Sequence, residues 1–249
     1  MTLQTPSSRN KNFKVYFGST LLFLGMTLSL FVFGPLVLLA IVLPFRIRYR
    51  IAGFWVKWVL WLAKVCCGID HQVEGIEHID QNRTSIVLSK HQSAWETLAY
   101  RDFLPMQSVL LKQSLLWLPL WGWAMATLKP IAINRKNQRA ALRKLLEQGT
   151  KNLKSGLWVI IFPEGTRTAP GEVKKFNAGG ALLAQQSGCP VVPIAHNAGV
   201  YWPRYSFLKY PGTIKVKIGP SIESKGRKAA DINAEAEAWI AAAMKEIES

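Results

Sequence analysis

From Val15 to Phe45 the chain carries no charged side chain. At about 1.5 Å per residue, a helix over that run is long enough to cross a bilayer. A buried core helix is the alternative, but core helices seldom extend so far without a polar face. The run is also too long for the apolar core of a signal peptide. Pro44 and the arginines that follow do not resemble a small-residue cleavage site, so the segment is expected to stay in the mature chain. The whole chain has 249 residues, 49% of them hydrophobic, which suffices for one large domain beyond this anchor.

Charge is distributed to match. Net charge is +16, and residues 1–64 contain Arg9, Lys11, Lys14, Arg46, Arg48, Arg50, Lys57 and Lys64 with no Asp or Glu. Basic residues beside an apolar segment suit anionic headgroups, at roughly 1 kcal/mol per side chain near the surface. By the positive-inside rule, the cluster from Arg46 to Lys64 puts the C-terminal domain in the cytoplasm. Nucleic acid is the other partner a basic chain suggests, but the cluster abuts apolar residues and no nucleic-acid motif is present. Cys66, Cys67 and Cys189 show no metal-ligand spacing and leave an odd thiol, as expected of reduced cysteines in a cytosolic setting.

Two regions follow from the pattern: membrane-anchoring helices over 1–67 and an α/β domain over 68–249. Residues 1–12 are polar and expected to fray. A first helix is predicted over Phe13–Leu43, kinked at Gly34-Pro35. A second is predicted over Ile51–Cys67, its lysines and tryptophans suited to the headgroup layer or to packing on the domain. Strands are expected over 85–89, 108–111, 130–133, 157–162, 190–195 and 213–218. Helices are expected over 93–103, 135–155, 178–187 and 231–247. This alternation gives an α/β sheet with helices on its faces.

His91 follows the first of these strands, so it emerges at a carboxyl end, the edge where α/β sheets hold ligands. Ser93-Ala94-Trp95-Glu96 fits a capping box with Ser93 as N-cap. Glu96 in the first turn can then reach back to His91, fix its tautomer and stabilise the imidazolium. A plain helix cap beside a satisfied loop histidine is the alternative. Ser93 has no G-x-S-x-G elbow around it, so it is not read as a nucleophile.

Phe162-Pro163-Glu164-Gly165-Thr166-Arg167 follows the strongest strand. Gly165 allows close backbone approach, Thr166 offers a hydroxyl, and Arg167 presents a fork suited to phosphate. A tight turn with a solvated Arg is the simpler reading. Lys112, at another strand end, and Arg135 are further cation candidates. No nucleotide P-loop occurs.

In this order the motifs resemble those of the glycerolipid acyltransferases. His91 to Glu96 matches the family's first block. Lys112-Gln113-Ser114 through Pro119, Gly122 and Pro130 to Arg135 match the second. Phe162 to Arg167 reproduces the third, and Val191-Val192-Pro193-Ile194 is similar to the fourth. One departure is Glu96, where the family has Asp. The resemblance implies a mixed sheet flanked by helices, with a two-helix N-terminal membrane motif over 13–67 whose helices can lie in one leaflet. It implies acyl transfer from acyl-CoA or acyl-carrier protein to the 2-hydroxyl of lysophosphatidic acid at a bacterial inner membrane, with no metal or prosthetic group. His91 would be the base and Glu96 its orienting carboxylate. Arg167 and Lys112 would hold the phosphate, and Glu164, Gly165 and Thr166 would shape the pocket. Another lysolipid or glycerol 3-phosphate as acceptor, a thioesterase, and a non-catalytic tether to anionic membrane are the rival expectations.

Overall fold

The computed structural model describes residues 12–248, so most of the polar N-terminus expected to fray lies outside the described residues. Helix α1 spans Phe13–Leu39, capped by the Asn12 side chain on the Val15 N–H, and a short 3-10 turn, Ala40–Val42, extends it. Helix α2 starts at Phe45, six residues before the expected Ile51, and runs to Cys67. Arg46, Arg48 and Arg50 are therefore helical and not part of a linker. Gly68, at φ 64°, ends α2 in the left-handed conformation that glycine adopts at little cost.

Seven strands follow: β1 Ile69–Glu74, β2 Ile86–Ser89, β3 Gln107–Lys112, β4 Ile131–Ile133, β5 Trp158–Ile161, β6 Val191–His196 and β7 Gly212–Ile218. Between and after them lie α3 Trp95–Phe103, α4 Trp121–Ala126, α5 Gln138–Lys154, α6 Gly179–Ser187, α7 Ala198–Tyr201 and α8 Ala229–Glu248. The sheet order is β1-β7-β6-β2-β5-β3-β4. Neighbours are parallel except β6 and β7, so the sheet is mixed. The pattern did not predict β1. Its Asp70, His71 and Gln72 lack the apolar run expected of a strand, and its place at the sheet edge, paired only with β7, permits that.

Strands β2, β5 and β6 are buried at every residue, as central strands covered on both faces must be. Their side chains alternate between two cores. Ile86, Leu88, Val159, Ile161 and Val191 pack with Leu145, Leu183 and Ile232 of α5, α6 and α8. Val87, Trp158, Ile160, Val192 and Ile194 pack with Val59 and Leu62 of α2 and Trp95 and Tyr100 of α3. Helix α2 is thus a layer of the domain core as well as the partner of α1.

Helix α1 packs closely along α2. A Cβ placed on Gly18 would sit 2.1 Å from the Cys66 carbonyl oxygen, so only glycine permits this approach. Further along, Trp55 Nε1 donates to Ser29 Oγ at 3.0 Å. The other side of α1 stays open, with Phe17, Phe23, Leu28, Phe31 and Val32 all more than half exposed. A contiguous apolar face of this kind marks a membrane or protein contact. The helical segment Phe13–Val42 is long and apolar enough to cross a membrane.

Candidate active site

The parallel strands β2, β3 and β5 deliver their carboxyl ends to one edge of the sheet. His91 lies two residues beyond β2, Phe162 one residue beyond β5, and Lys112 ends β3. The His91 ring stacks on Phe162, with centroids 4.1 Å apart and planes 17° apart. His91 Nδ1 lies 2.8 Å from Glu96 Oε1. That same oxygen accepts the backbone N–H groups of Gln92 and Ser93 at 2.9 and 2.8 Å. The two roles weighed for Glu96, cap and orienter, therefore fall on one oxygen. The helix begins one residue later than the capping pattern predicts, with Ala94 as N-cap, although Ser93 Oγ still accepts the Trp95 N–H at 3.1 Å.

Glu96 is fully buried. Burial by itself would raise its carboxyl, but the imidazoles of His196 and His91 and the Ser93 N–H outweigh it and hold the group below the usual carboxylate range. An ionised Glu96 accepts from Nδ1–H, which leaves the Nε2 lone pair of His91 free.

Behind the imidazole stands a buried lattice absent from the sequence expectations. Glu164 is 1% exposed. Its carboxylate accepts the His91 N–H at 2.9 Å and pairs with the Lys90 ammonium. Thr168 donates to the His91 carbonyl through its backbone N–H at 2.7 Å and its hydroxyl at 3.1 Å. His196 Nε2 lies 2.8 Å from the Lys90 carbonyl oxygen, and its Nδ1 accepts the Ala198 N–H at 3.2 Å. Burial lowers the His196 pKa, while the Glu96 charge opposes that shift only in part. Residue types alone gave no signal for these contacts, since Lys90 and Glu164 are far apart in the chain.

A cavity of about 430 Å³ opens beside His91. Its walls are mostly apolar, from Phe23, Met26 and Leu30 of α1, Trp55 and Val56 of α2, Leu98 of α3, and Leu115, Leu118 and Trp121 beyond β3. Lys112, Arg135 and Arg167 line the same cavity. Of the candidate residues, these three and His91 therefore share one space. Glu164, Gly165 and Thr166 do not line it. Gly165 takes φ 72°, and Arg135 Nη1 donates to its carbonyl at 2.6 Å. Burial lowers the Arg135 pKa most, with the Arg167 charge adding to that shift and Tyr205 opposing it. Arg204 fixes Arg167 from outside, donating to its carbonyl while pairing with Glu172 at 3.1 Å. An oriented imidazole beside adjacent cations in an apolar cavity can deprotonate an alcohol whose molecule carries an anionic head and a hydrocarbon tail.

The sequence of the Acyltransferase family matches residues 70–197, and the chain belongs to that family. The 1-acyl-sn-glycerol-3-phosphate acyltransferase of Pseudomonas aeruginosa is 47% identical over 234 residues, 92% of this chain and 91% of the relative. The beta form of that enzyme from Homo sapiens is 28% identical over 72% of this chain and 65% of its own length. The crystal structure of the 1-acyl-sn-glycerophosphate (LPA) acyltransferase PlsC from Thermotoga maritima shares the fold, with a TM-score of 0.79 at 23% identity over 93% of this chain and 95% of that one.

Proposed function

We propose that the chain is a 1-acyl-sn-glycerol-3-phosphate acyltransferase that forms phosphatidic acid. The observation that carries this reading is the single cavity in which His91 meets Lys112, Arg135 and Arg167 among apolar walls. The similarity to the Pseudomonas aeruginosa enzyme along nearly the whole of both chains supports it.

His91 Nε2 takes the proton of the 2-hydroxyl as the oxygen attacks the carbonyl carbon of an acyl thioester. Collapse of the tetrahedral adduct breaks the carbon–sulfur bond. The imidazolium returns the proton to the departing thiolate, so phosphatidic acid and a free thiol carrier leave. Acyl-CoA or acyl-carrier protein is the donor. Glu96 orients Nδ1–H and offsets the charge that forms on the ring. Arg167 and Lys112 take the phosphate, with Arg135 beside them. Lys90 and Glu164 hold the His91 backbone in place.

The α/β catalytic domain takes up residues 68–249 with α2 adding a layer to its core, and α1 and α2 hold it on a bilayer with anionic headgroups. The basic cluster from Arg46 to Lys64 supports a cytoplasmic orientation at an inner membrane. Helix α1 packs along α2, and α2 belongs to the domain core, so the pair supports immersion in one leaflet.

The test is turnover of purified enzyme with lysophosphatidic acid and acyl-CoA, read as phosphatidic acid by mass spectrometry. His91→Ala should abolish it. Retained turnover would remove the base. An acceptor panel containing other lysolipids and glycerol 3-phosphate checks the substrate, and fatty acid released without acceptor would indicate a thioesterase.

A further inference from the structure

The loop between α7 and β7, residues 202–211, reaches α1 on one side and the cavity cations on the other. The Lys209 N–H donates to Ser19 Oγ of α1 at 2.9 Å. The Phe207 ring tilts against that of Phe23, with centroids 5.9 Å apart, and Phe23 also lines the His91 cavity. Arg204 holds the Arg167 carbonyl and pairs with Glu172. Between these anchors the tip turns two aromatic rings outward, with Tyr205 84% and Phe207 48% exposed.

The tip is built to hold them there. Tyr205 has φ 56°, a left-handed conformation costly for a residue with a bulky side chain. The Lys209 ammonium donates to the carbonyls of Ser206 and Phe207 at 2.8 and 2.9 Å. The Leu208 N–H donates to Ser206 Oγ at 3.1 Å. Lys209 is itself buried without an ion pair among the described residues, and burial lowers its pKa to about 8. Burying a charge in this way is costly. Neither that cost nor the strain at Tyr205 is repaid by packing of the Tyr205 ring within the chain, so the ring points to a contact outside it.

Two features choose a lipid surface as that contact. The first is continuity. Through Phe207 on Phe23 the tip adjoins the open side of α1, where Phe17 and Phe23 are more than half exposed. The second is composition, since aromatic rings beside cations suit the headgroup level of a bilayer. Arg204 is the chain neighbour of Tyr205, and the Tyr205 phenol lies near enough to Arg135 to oppose the fall in its pKa.

We propose that Tyr205 and Phe207 are a lipid contact of the α/β domain itself, setting Arg135 and Arg167 at the headgroup layer of a phospholipid bilayer. The contact rests on the membrane association proposed above, and the experiment separates the two.

The full chain is labelled with fluorotyrosine at its six tyrosines and placed in nanodiscs of phosphatidylglycerol and phosphatidylcholine. The Tyr205 fluorine resonance is assigned by its loss in Tyr205→Phe. A lipid carrying a nitroxide near its headgroup should broaden the signals of Tyr205 and of Tyr16 on α1, but not those of the buried Tyr100 and Tyr210. Broadening at Tyr16 without Tyr205 would keep the anchor and overturn the loop contact. Broadening at Tyr205 alone would keep the contact and remove α1 from the lipid. Broadening at neither would refute the membrane association on which the contact stands. Partition into vesicles of the same lipids gives a second readout. Tyr205→Trp should strengthen it about threefold, and Tyr205→Gly should weaken it about threefold while melting no lower than wild type. Adding Phe207→Ser should bring the loss to about tenfold. Equal partition of wild type, Tyr205→Gly and Tyr205→Trp would overturn the contact.

Discussion

Glu96 Oε1 accepts three hydrogen bonds, from His91 Nδ1 and from the N–H groups of Gln92 and Ser93, so one atom caps a helix and aims an imidazole. Its partner oxygen, Oε2, is buried without a hydrogen bond among the described residues. Glu96→Gln keeps an oxygen for the cap but removes the charge that steadies the imidazolium. It should lower kcat about 10²–10⁴-fold while the fold persists. Glu96→Asp keeps the charge but shortens the reach by a methylene, so it should also lose activity. Steady-state kinetics beside circular dichroism checks both, and wild-type rates in Glu96→Gln would leave Glu96 as a cap alone.

Arg167→Gln should raise KM for the lysolipid more than it lowers kcat, with kcat/KM falling about 10–100-fold for one lost bond to a charged group. Arg167→Lys should recover only part of this, because a point charge does not reproduce the guanidinium fork. KM for acyl-CoA serves as the internal control.

Lys90 and Glu164 form a buried ion pair, so removing either one strands the other. Lys90→Met and Glu164→Leu should each destabilise the enzyme by about 3–5 kcal/mol. The double variant should be less damaged than the sum of the two, because neither charge is left alone. Chemical denaturation of all three gives the coupling.

His196 predicts an acid-side loss of stability. Its folded pKa is lowered by burial, so the folded state stays neutral where the unfolded chain binds a proton. Below about pH 6.5 the unfolded chain carries more protons, and stability falls as pH drops from there toward the folded pKa. His196→Gln can still donate to the Lys90 carbonyl but does not titrate. Its stability should therefore depend less steeply on pH between about 5 and 7. Unfolding curves across that range measure the slope, and identical slopes would mean that His196 is not the group responsible.

The central strands were legible because β2, β5 and β6 are buried on both faces, and burial writes itself as continuous apolar runs. The contact between His91 and Glu96 was legible because a capping pattern beside a strand end fixes local geometry within a few residues. Other features depend on distant partners. Strand β1 reads as polar because β7 and the sheet edge, not its own composition, make it a strand. Glu164 reads as a ligand group in its loop, but Lys90 and the His91 N–H claim its carboxylate. The start of α2 at Phe45 was missed for a similar reason. Pro44 suggested an exit from one helix, whereas it is the N-cap of the next, where a missing N–H costs nothing.

Phe23, Met26, Thr27 and Leu30 of α1 face the same hollow as His91. The segment long and apolar enough to cross a membrane thus also walls the cavity that His91 shares with Lys112, Arg135 and Arg167. Trimming it to obtain a water-soluble enzyme would breach the compartment, and fusing the remainder to a foreign tether would restore location without restoring turnover.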